Sequence, residues 1–168
     1  MENENRREMK DHTFSITAMK SSNVIARITG LITRRQFVIK SISVGDSISE
    51  NILRLTLVIK GDQREFDQLQ KQVNKLIDVI NISPIDDSRK IEREIALIKF
   101  QNCRNGQSGL LKLINIYNGN IINSDPDGMV VELTGTGKKI DDFIESLSKN
   151  SIADIARTGV AAMDHIVY

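Results

Sequence analysis

The chain of 168 residues is 40% hydrophobic and 27% charged, and its formal net charge is only +1. A charge so close to zero gives no electrostatic reason to expect nucleic acid or an acidic membrane as a partner, and no apolar run is long enough to span a bilayer. A single cysteine excludes an internal disulfide, and the first twelve residues lack the apolar stretch of a signal peptide. The composition therefore predicts a cytoplasmic protein.

The first half of the chain switches between strand and helix periodicities. Phe14, Ile16 and Ala18 alternate with polar or flanking positions and predict a strand. Ser22 or Asn23 can cap the helix that follows. The predicted order is strand 14–19, helix 24–35, strand 37–44, strand 52–59, a helix that begins after Asp62, and strand 77–82.

Both helices of this half carry apolar residues at three- and four-residue spacing, as expected for helices that pack on a sheet. Asp62 is a good N-cap for the second helix. The apolar residues are Val24, Ile28, Leu31 and Ile32 in the first helix, and Phe66, Leu69, Val73 and Leu76 in the second.

The second half repeats this order at an offset of roughly eighty residues, which indicates a duplicated domain rather than a short solenoid repeat. The segment 152–163 fits a helix by its apolar spacing, but symmetry with the first half favours a final strand at 152–157. The predicted elements are strands at 94–101, 120–123 and 129–134 and helices at 108–117 and 138–147.

These patterns predict an α+β protein of two tandem ferredoxin-like βαββαβ domains. We expect a flexible N-terminal segment at 1–12, a first domain at 13–84, a linker at 85–91 and a second domain at 92–168. Each domain is small and buries only a modest share of its surface, so further burial against a sibling or a partner is expected.

Residues that could carry chemistry are few and scattered. His12, Cys103 and His165 have no partner at a metal-ligand or catalytic spacing. The glycine-containing run at 135–139 is too short for a phosphate-binding loop and has no Ser or Thr after its lysines. It is therefore predicted to be the start of a helix. Adjacent residues of the run 92–94 point alternately along an extended segment, so this run is predicted to be a solvated strand start rather than a pair of catalytic carboxylates. We therefore predict no catalytic residue and no metal site in this chain.

The loop at 20–24 presents backbone amides at a helix N-terminus, an arrangement that suits a carboxylate ligand. Taken alone, such a turn is more often an ordinary capped turn without a ligand. If two chains, or the two repeats, pair through their first helices, the loop would lie beside an interface that could hold a small amino acid.

Short motifs in a fixed order give the chain a specific family likeness. They are Arg27-Ile28, Gly30-Leu31, Arg34-Arg35, Phe37, Ile39, Ser41-Ile42, Val44-Gly45, Gly61-Asp62, Gln72-Val73, 75–80, 92–99, 135–141 and 156–159. Over 13–163 the chain resembles the regulatory, or small, subunit of acetohydroxyacid synthase (acetolactate synthase), whose first domain is an ACT domain.

This resemblance implies a protein without catalytic chemistry or a cofactor of its own. It implies a larger catalytic subunit as partner, which holds thiamine diphosphate, FAD and magnesium and condenses pyruvate with pyruvate or 2-oxobutyrate. It also implies activation of that partner in branched-chain amino-acid biosynthesis, and feedback by valine, isoleucine or leucine bound between ACT domains. We further expect a homodimer through the ACT domains, with the helix faces of Val24, Ile28 and Ile32 exposed for pairing.

The chain departs from the family pattern in the effector loop. The family reads Asn-x-x-Gly before the first helix and Gly-Phe/Tyr-Asn-Ile at the second strand, whereas this chain has Lys20, Asn23, Gln36 and Val38 at those four positions. Asn23 adds a side chain where the backbone would approach the ligand, and Val38 removes an amide. The effector-binding residues carried over are Lys20, Ser22, Asn23, Val24, Ile25, Val38 and Ile39.

Valine feedback is therefore predicted to be weak or altered, since one lost polar contact costs about 1–2 kcal/mol. Direct recruitment of a carboxylate by Lys20 is the open alternative. For the function as a whole, the alternative is a free-standing ACT-type amino-acid sensor that acts on another partner. An RNA-binding protein of related topology is least favoured because the paired aromatic residues of that class are missing.

Overall fold

The computed structural model describes residues 9–101, 107–147 and 152–166. The chain forms two compact units, with divisions between Ile91 and Glu92 and again between Gly159 and Val160. The elements up to the first division are β1 (Lys10–Met19), α1 (Val24–Arg34), β2 (Val38–Asp46), β3 (Ile52–Gly61), α2 (Gln63–Val73) and β4 (Val79–Ile85). The remaining elements are β5 (Lys90–Gln101), α3 (Gln107–Ile116), β6 (Asn120–Asp125), β7 (Gly128–Gly135), α4 (Gly137–Ser146), β8 (Ile152–Arg157) and β9 (Ala161–Asp164).

The first unit is a four-stranded antiparallel sheet in the order β2-β3-β1-β4. Alternate residues of β1 and β3 form a single core with the apolar stripes of α1 and α2. Asp62 begins α2 as predicted: its carboxylate accepts from the Glu65 N–H at 2.9 Å, and the Glu65 carboxylate accepts from the Asp62 N–H at 3.0 Å. This reciprocal capping box satisfies two backbone donors that a helix start leaves unpaired.

Three boundaries in this unit differ from the prediction. β1 begins at Lys10, within the segment expected to be flexible, because β3 extends to Gly61 and pairs with it there. α2 ends at Val73, so Leu76 packs on the core from the following turn rather than from the helix. β4 continues past Pro84, which a strand at the edge of a sheet tolerates.

The second unit repeats the topology, with the order β6-β7-β5-β8 and α3 and α4 packed on one face. Its core includes Ile98, Phe100, Val131 and Phe143. β8 confirms the strand predicted at 152–157. With two βαββαβ units and mixed helix and sheet, the predicted α+β fold class is confirmed.

The last described strand, β9, belongs to the first unit, whereas the sequence placed it in a second domain at 92–168. Val160 and Ala162 form a small apolar cluster with Val58 and Ile85. The N–H of Val160 donates to Ser41 Oγ at 2.7 Å, and the N–H of Ala162 donates to Thr56 Oγ1 at 3.4 Å. The segment therefore covers the sheet face opposite the helices, because that face carries apolar side chains between hydroxyl acceptors.

Candidate functional site

The predicted effector loop joins β1 to α1 at one end of the first unit's sheet. Lys20 donates its backbone N–H to the Asn51 carbonyl at 2.8 Å. Its ammonium group lies 2.7 Å from Asp46 Oδ1, and both side chains are about half exposed. Lys20 is thus already paired with a carboxylate of the same chain, at the point where β2 ends.

Asn23 occupies the N-cap position of α1 with φ −113° and ψ −4°. Its carbonyl accepts from the Arg27 N–H at 2.9 Å, but its side chain makes no capping hydrogen bond within the described helix. Asn23 therefore points an exposed amide side chain outward at the helix start, unlike Asp62 at the start of α2.

Of the other predicted residues, Val24 and Ile25 lie at the start of α1, whereas Val38 and Ile39 lie at the start of β2. Val24 is fully buried in the core, whereas the neighbouring Ile25 is 40% exposed at the loop. Val38 is opposite Lys60 at the far end of β2, about 25 Å of strand from Asp46. The predicted set therefore does not converge into one site within a single chain, because a strand separates Val38 and Ile39 from the loop.

Gln36 lies just before Val38 and has a φ of +61°. The N–H of Gln36 donates to the Thr33 carbonyl, and the N–H of Phe37 donates to the Ile32 carbonyl. This left-handed helix ending favours glycine, so a local backbone constraint accounts for the glycine in the family pattern at this position.

The helix face that we expected to mediate dimerisation is not exposed. Val24, Ile28 and Ile32 all have 0% exposure and fill the core of their own unit. The prediction that this face is available for pairing is wrong, since an apolar stripe on a helix cannot distinguish an internal sheet from a partner.

Of the scattered residues considered for chemistry, His12 packs against the core of the first unit and His165 is exposed. Cys103 lies outside the described residues. The ring of His12 stacks against Phe66 with centroids 3.3 Å apart, and burial lowers the pKa of His12. Across 9–101, 107–147 and 152–166, no group of three or more His, Cys, Asp or Glu side chains is placed to hold a metal ion. None of the described helices is long and apolar enough to cross a membrane.

The two motifs considered for chemistry also serve the fold. Thr136 caps α4, its Oγ1 accepting from the Lys139 N–H at 3.2 Å, and the Lys139 ammonium donates to the Thr134 carbonyl at 2.8 Å. Glu94 accepts from Arg157 Nε at 2.5 Å. Sequence reasoning missed the long-range pairs of Lys20 with Asp46 and of Arg157 with Glu94, since no local pattern links residues so far apart.

The fold defines this chain as a two-unit α+β protein with an ACT-type first unit. The family model for the AHAS small subunit-like ACT domain matches residues 14–81, and the model for the small subunit of acetolactate synthase matches residues 93–166. The chain belongs to the acetolactate synthase small-subunit family.

Individual relatives cover nearly the whole chain. A probable acetolactate synthase small subunit of Methanothermobacter thermautotrophicus is 38% identical, over 93% of this chain and 95% of that protein. The acetolactate synthase small subunit of Bacillus subtilis is 35% identical, over 88% of this chain and 87% of that protein. The crystal structure of the acetolactate synthase small subunit from Thermotoga maritima superposes with a TM-score of 0.89 at 34% identity, covering 95% of this chain and 99% of that chain.

Proposed function

We propose that this chain is the regulatory subunit of an acetolactate synthase, which binds the catalytic subunit, raises its activity and carries out no chemistry itself. The observation that carries this proposal is that small-subunit family models match both units. The catalytic partner, and not this chain, would hold thiamine diphosphate, FAD and magnesium. The assembly would act in the cytoplasm, in branched-chain amino-acid biosynthesis.

Activation of this kind is a coupling free energy between two binding events. The small subunit must bind the active form of its partner better than the inactive form. An inhibiting amino acid must bind the inactive assembly better than the active one. The sequence supports activation of the partner more strongly than inhibition by an amino acid. Its departures from the family pattern, at Lys20, Asn23 and Val38, all fall on the effector residues.

A homodimer would assemble the separated effector residues. β2 lies at the end of the strand order, so its outer edge is available to a second copy. Antiparallel pairing of two β2 strands across a two-fold axis would set the start of one strand beside the end of the other. Val38 and Ile39 of one copy would then lie next to the Lys20 loop of its partner. Sedimentation at micromolar concentration tests this arrangement, and a monomer would contradict it.

The Lys20–Asp46 pair bears on the effector that such a site would accept. The Lys20 ammonium could attract the carboxylate of an amino acid, but Asp46 already neutralises it at 2.7 Å. Asn23 further places a side chain at the helix start where backbone amides would meet the ligand. We therefore expect weak or altered valine feedback, while activation is retained.

The decisive experiment is acetolactate formation from pyruvate by the catalytic subunit of the same organism, with and without this chain, across a valine titration. Stimulation that valine cannot reverse is the expected result. Stimulation that valine reverses would show that the substituted loop still binds valine. No stimulation would contradict the proposal and favour a free-standing amino-acid sensor.

A further inference from the structure

Two of the sequence runs that carry the family likeness meet beside the effector loop. Arg27 belongs to the run Arg27-Ile28, and Asp78 belongs to the run 75–80. Arg27 Nη1 donates to Asp78 Oδ2 at 2.7 Å, and the two side chains form an ion pair. This pair joins α1 to the turn between α2 and β4, across 51 positions of sequence.

Asp78 contacts the chain on both sides of the effector loop. Its carbonyl accepts from the N–H of Met19, the last residue of β1, at 2.7 Å. Its carboxylate accepts from Arg27, which lies in the first turn of α1. The loop at 20–23 runs between these two contacts. Asp78 therefore sets the separation between the end of β1 and the start of α1, which the loop must bridge.

The start of α1 has little support from its own residues. Within this described helix the first turn contains no acidic residue, and Asn23 makes no side-chain capping bond. The helix dipole favours a carboxylate and disfavours a cation at this end, where Arg27 lies. Asp78 supplies the missing carboxylate from outside the helix, whereas Asp62 and Glu65 supply it within α2.

The pair is strong enough to adjust the loop without being required for folding. The Asp78 side chain is 21% exposed and that of Arg27 is 48% exposed, so water and salt screen the pair only in part. We propose that Arg27 and Asp78 are positioning residues, which hold the start of α1 where the carboxylate of an effector would meet it. This inference rests on the proposed function for the role of the loop.

Amide hydrogen exchange of the full chain, followed by NMR, tests the pair without the catalytic subunit. The variants are Arg27→Gln, Asp78→Asn and the two together. We expect exchange at Lys20 and Ile28, on either side of the loop, to be about two- to fivefold faster in each single variant. The double variant should show no further increase, because both changes remove the same contact. Exchange at the buried Leu57 should stay as in the wild type.

The matched control is Asp11→Asn, which removes the ion pair of Lys40 with Asp11. That pair is 2.6 Å long and half exposed, and Asp11 lies about 27 Å of strand from Met19. The control should leave exchange at Lys20 and Ile28 unchanged. An equal increase in the control, no increase in the single variants, or effects that add in the double variant would overturn the inference.

The consequence for regulation is tested in the assembled enzyme with Asn23→Gly, which removes the side chain at the helix start. Adding Asp78→Asn should raise the valine concentration for half inhibition about two- to fivefold, whereas adding Asp11→Asn should not. An unchanged concentration with Asp78→Asn would overturn the positioning role. If the chain does not stimulate the catalytic subunit, or valine does not inhibit the Asn23→Gly assembly, the proposed function fails on that point. The exchange rates still decide whether the pair holds the loop.

Discussion

Arg157 holds together three parts of the second unit through its guanidinium group. It donates to Glu94 Oε2 at 2.5 Å, to Asp141 Oδ1 at 2.6 Å and to the Gly137 carbonyl at 3.2 Å. Glu94 is 8% exposed, so its charge depends on this partner. The network links the end of β8 to the start of β5 and to the first turn of α4.

A side chain at Gly137 would displace the Glu94 carboxylate from this network without straining the backbone. A Cβ at this position would lie 2.8 Å from Glu94 Oε1, whereas a Cβ at Gly30 in α1 would meet nothing within 4 Å. We expect Gly137→Ala to lower the free energy of unfolding by about 1–3 kcal/mol and Gly30→Ala to raise it by about 0.5–1 kcal/mol. Urea unfolding of both variants measures this, and equal effects would contradict the steric argument.

Asn23 provides a direct test of the effector loop. Replacement by glycine removes the side chain that extends from the α1 start and restores close backbone approach. We expect Asn23→Gly to strengthen valine inhibition of the assembled enzyme by about tenfold or more. The measurement is a valine titration of acetolactate formation. The matched control is Asn118→Gly, at an exposed asparagine of the second unit with a φ of +52°, which should leave the valine response as it is in the wild type.

At the scale of elements, β9 shows how a short strand can complete a unit that is distant in sequence. Its inward side chain, Ala162, is 7% exposed and packs in the cluster with Val58 and Ile85. Ala161 is exposed. The alternation of a strand therefore separates a buried from an exposed alanine at neighbouring positions.

This pair of alanines makes the packing of β9 testable. Ala162→Asp places a charge among apolar side chains and should lower the free energy of unfolding by about 3 kcal/mol. Ala161→Asp introduces the same group at an exposed position and should change it by less than about 0.5 kcal/mol. Thermal and urea unfolding of the two variants compare them, and similar losses would show that β9 does not pack as described.

At the scale of the whole molecule, the chain leaves the first unit at Ile91 and returns to it at Val160. The first unit is therefore completed only when residues on both sides of the second unit are in place. Its packing joins side chains far apart in sequence: His12 contacts Phe66, and Val160 and Ala162 cluster with Val58 and Ile85.

His12 makes the stability of the fold dependent on pH. Burial lowers its pKa, and the charge of Lys10 acts in the same direction, while Asp87 and Asp11 oppose it. Because the folded-state pKa lies below the unfolded value of about 6.5, the unfolded chain binds more protons between the two values. The free energy of unfolding should therefore fall as pH falls through about 6.5, and level off below the folded-state pKa.

Urea unfolding of the wild type and of His12→Gln across this pH range tests that dependence. The variant should lose the part of the pH dependence that belongs to His12, whereas His165→Gln, at an exposed position, should keep it. An unchanged slope in His12→Gln would assign the dependence to other groups.

The sequence by itself determined the order of elements and the duplication. The two-residue alternation around Phe14 and Ile16, the helical spacing of α1 and α2 and the cap at Asp62 are all local signals. These signals need only neighbouring residues, so they predict element types and the βαββαβ order in both halves.

Only the tertiary structure decided which surfaces those elements present. It buried Val24, Ile28 and Ile32 within their own unit, paired Lys20 with Asp46, and separated Val38 from the loop by the length of β2. It also returned Ala162 to the first unit. Each of these outcomes depends on contacts between residues distant in sequence. The residues next to an apolar or charged side chain do not determine which distant residue it will contact.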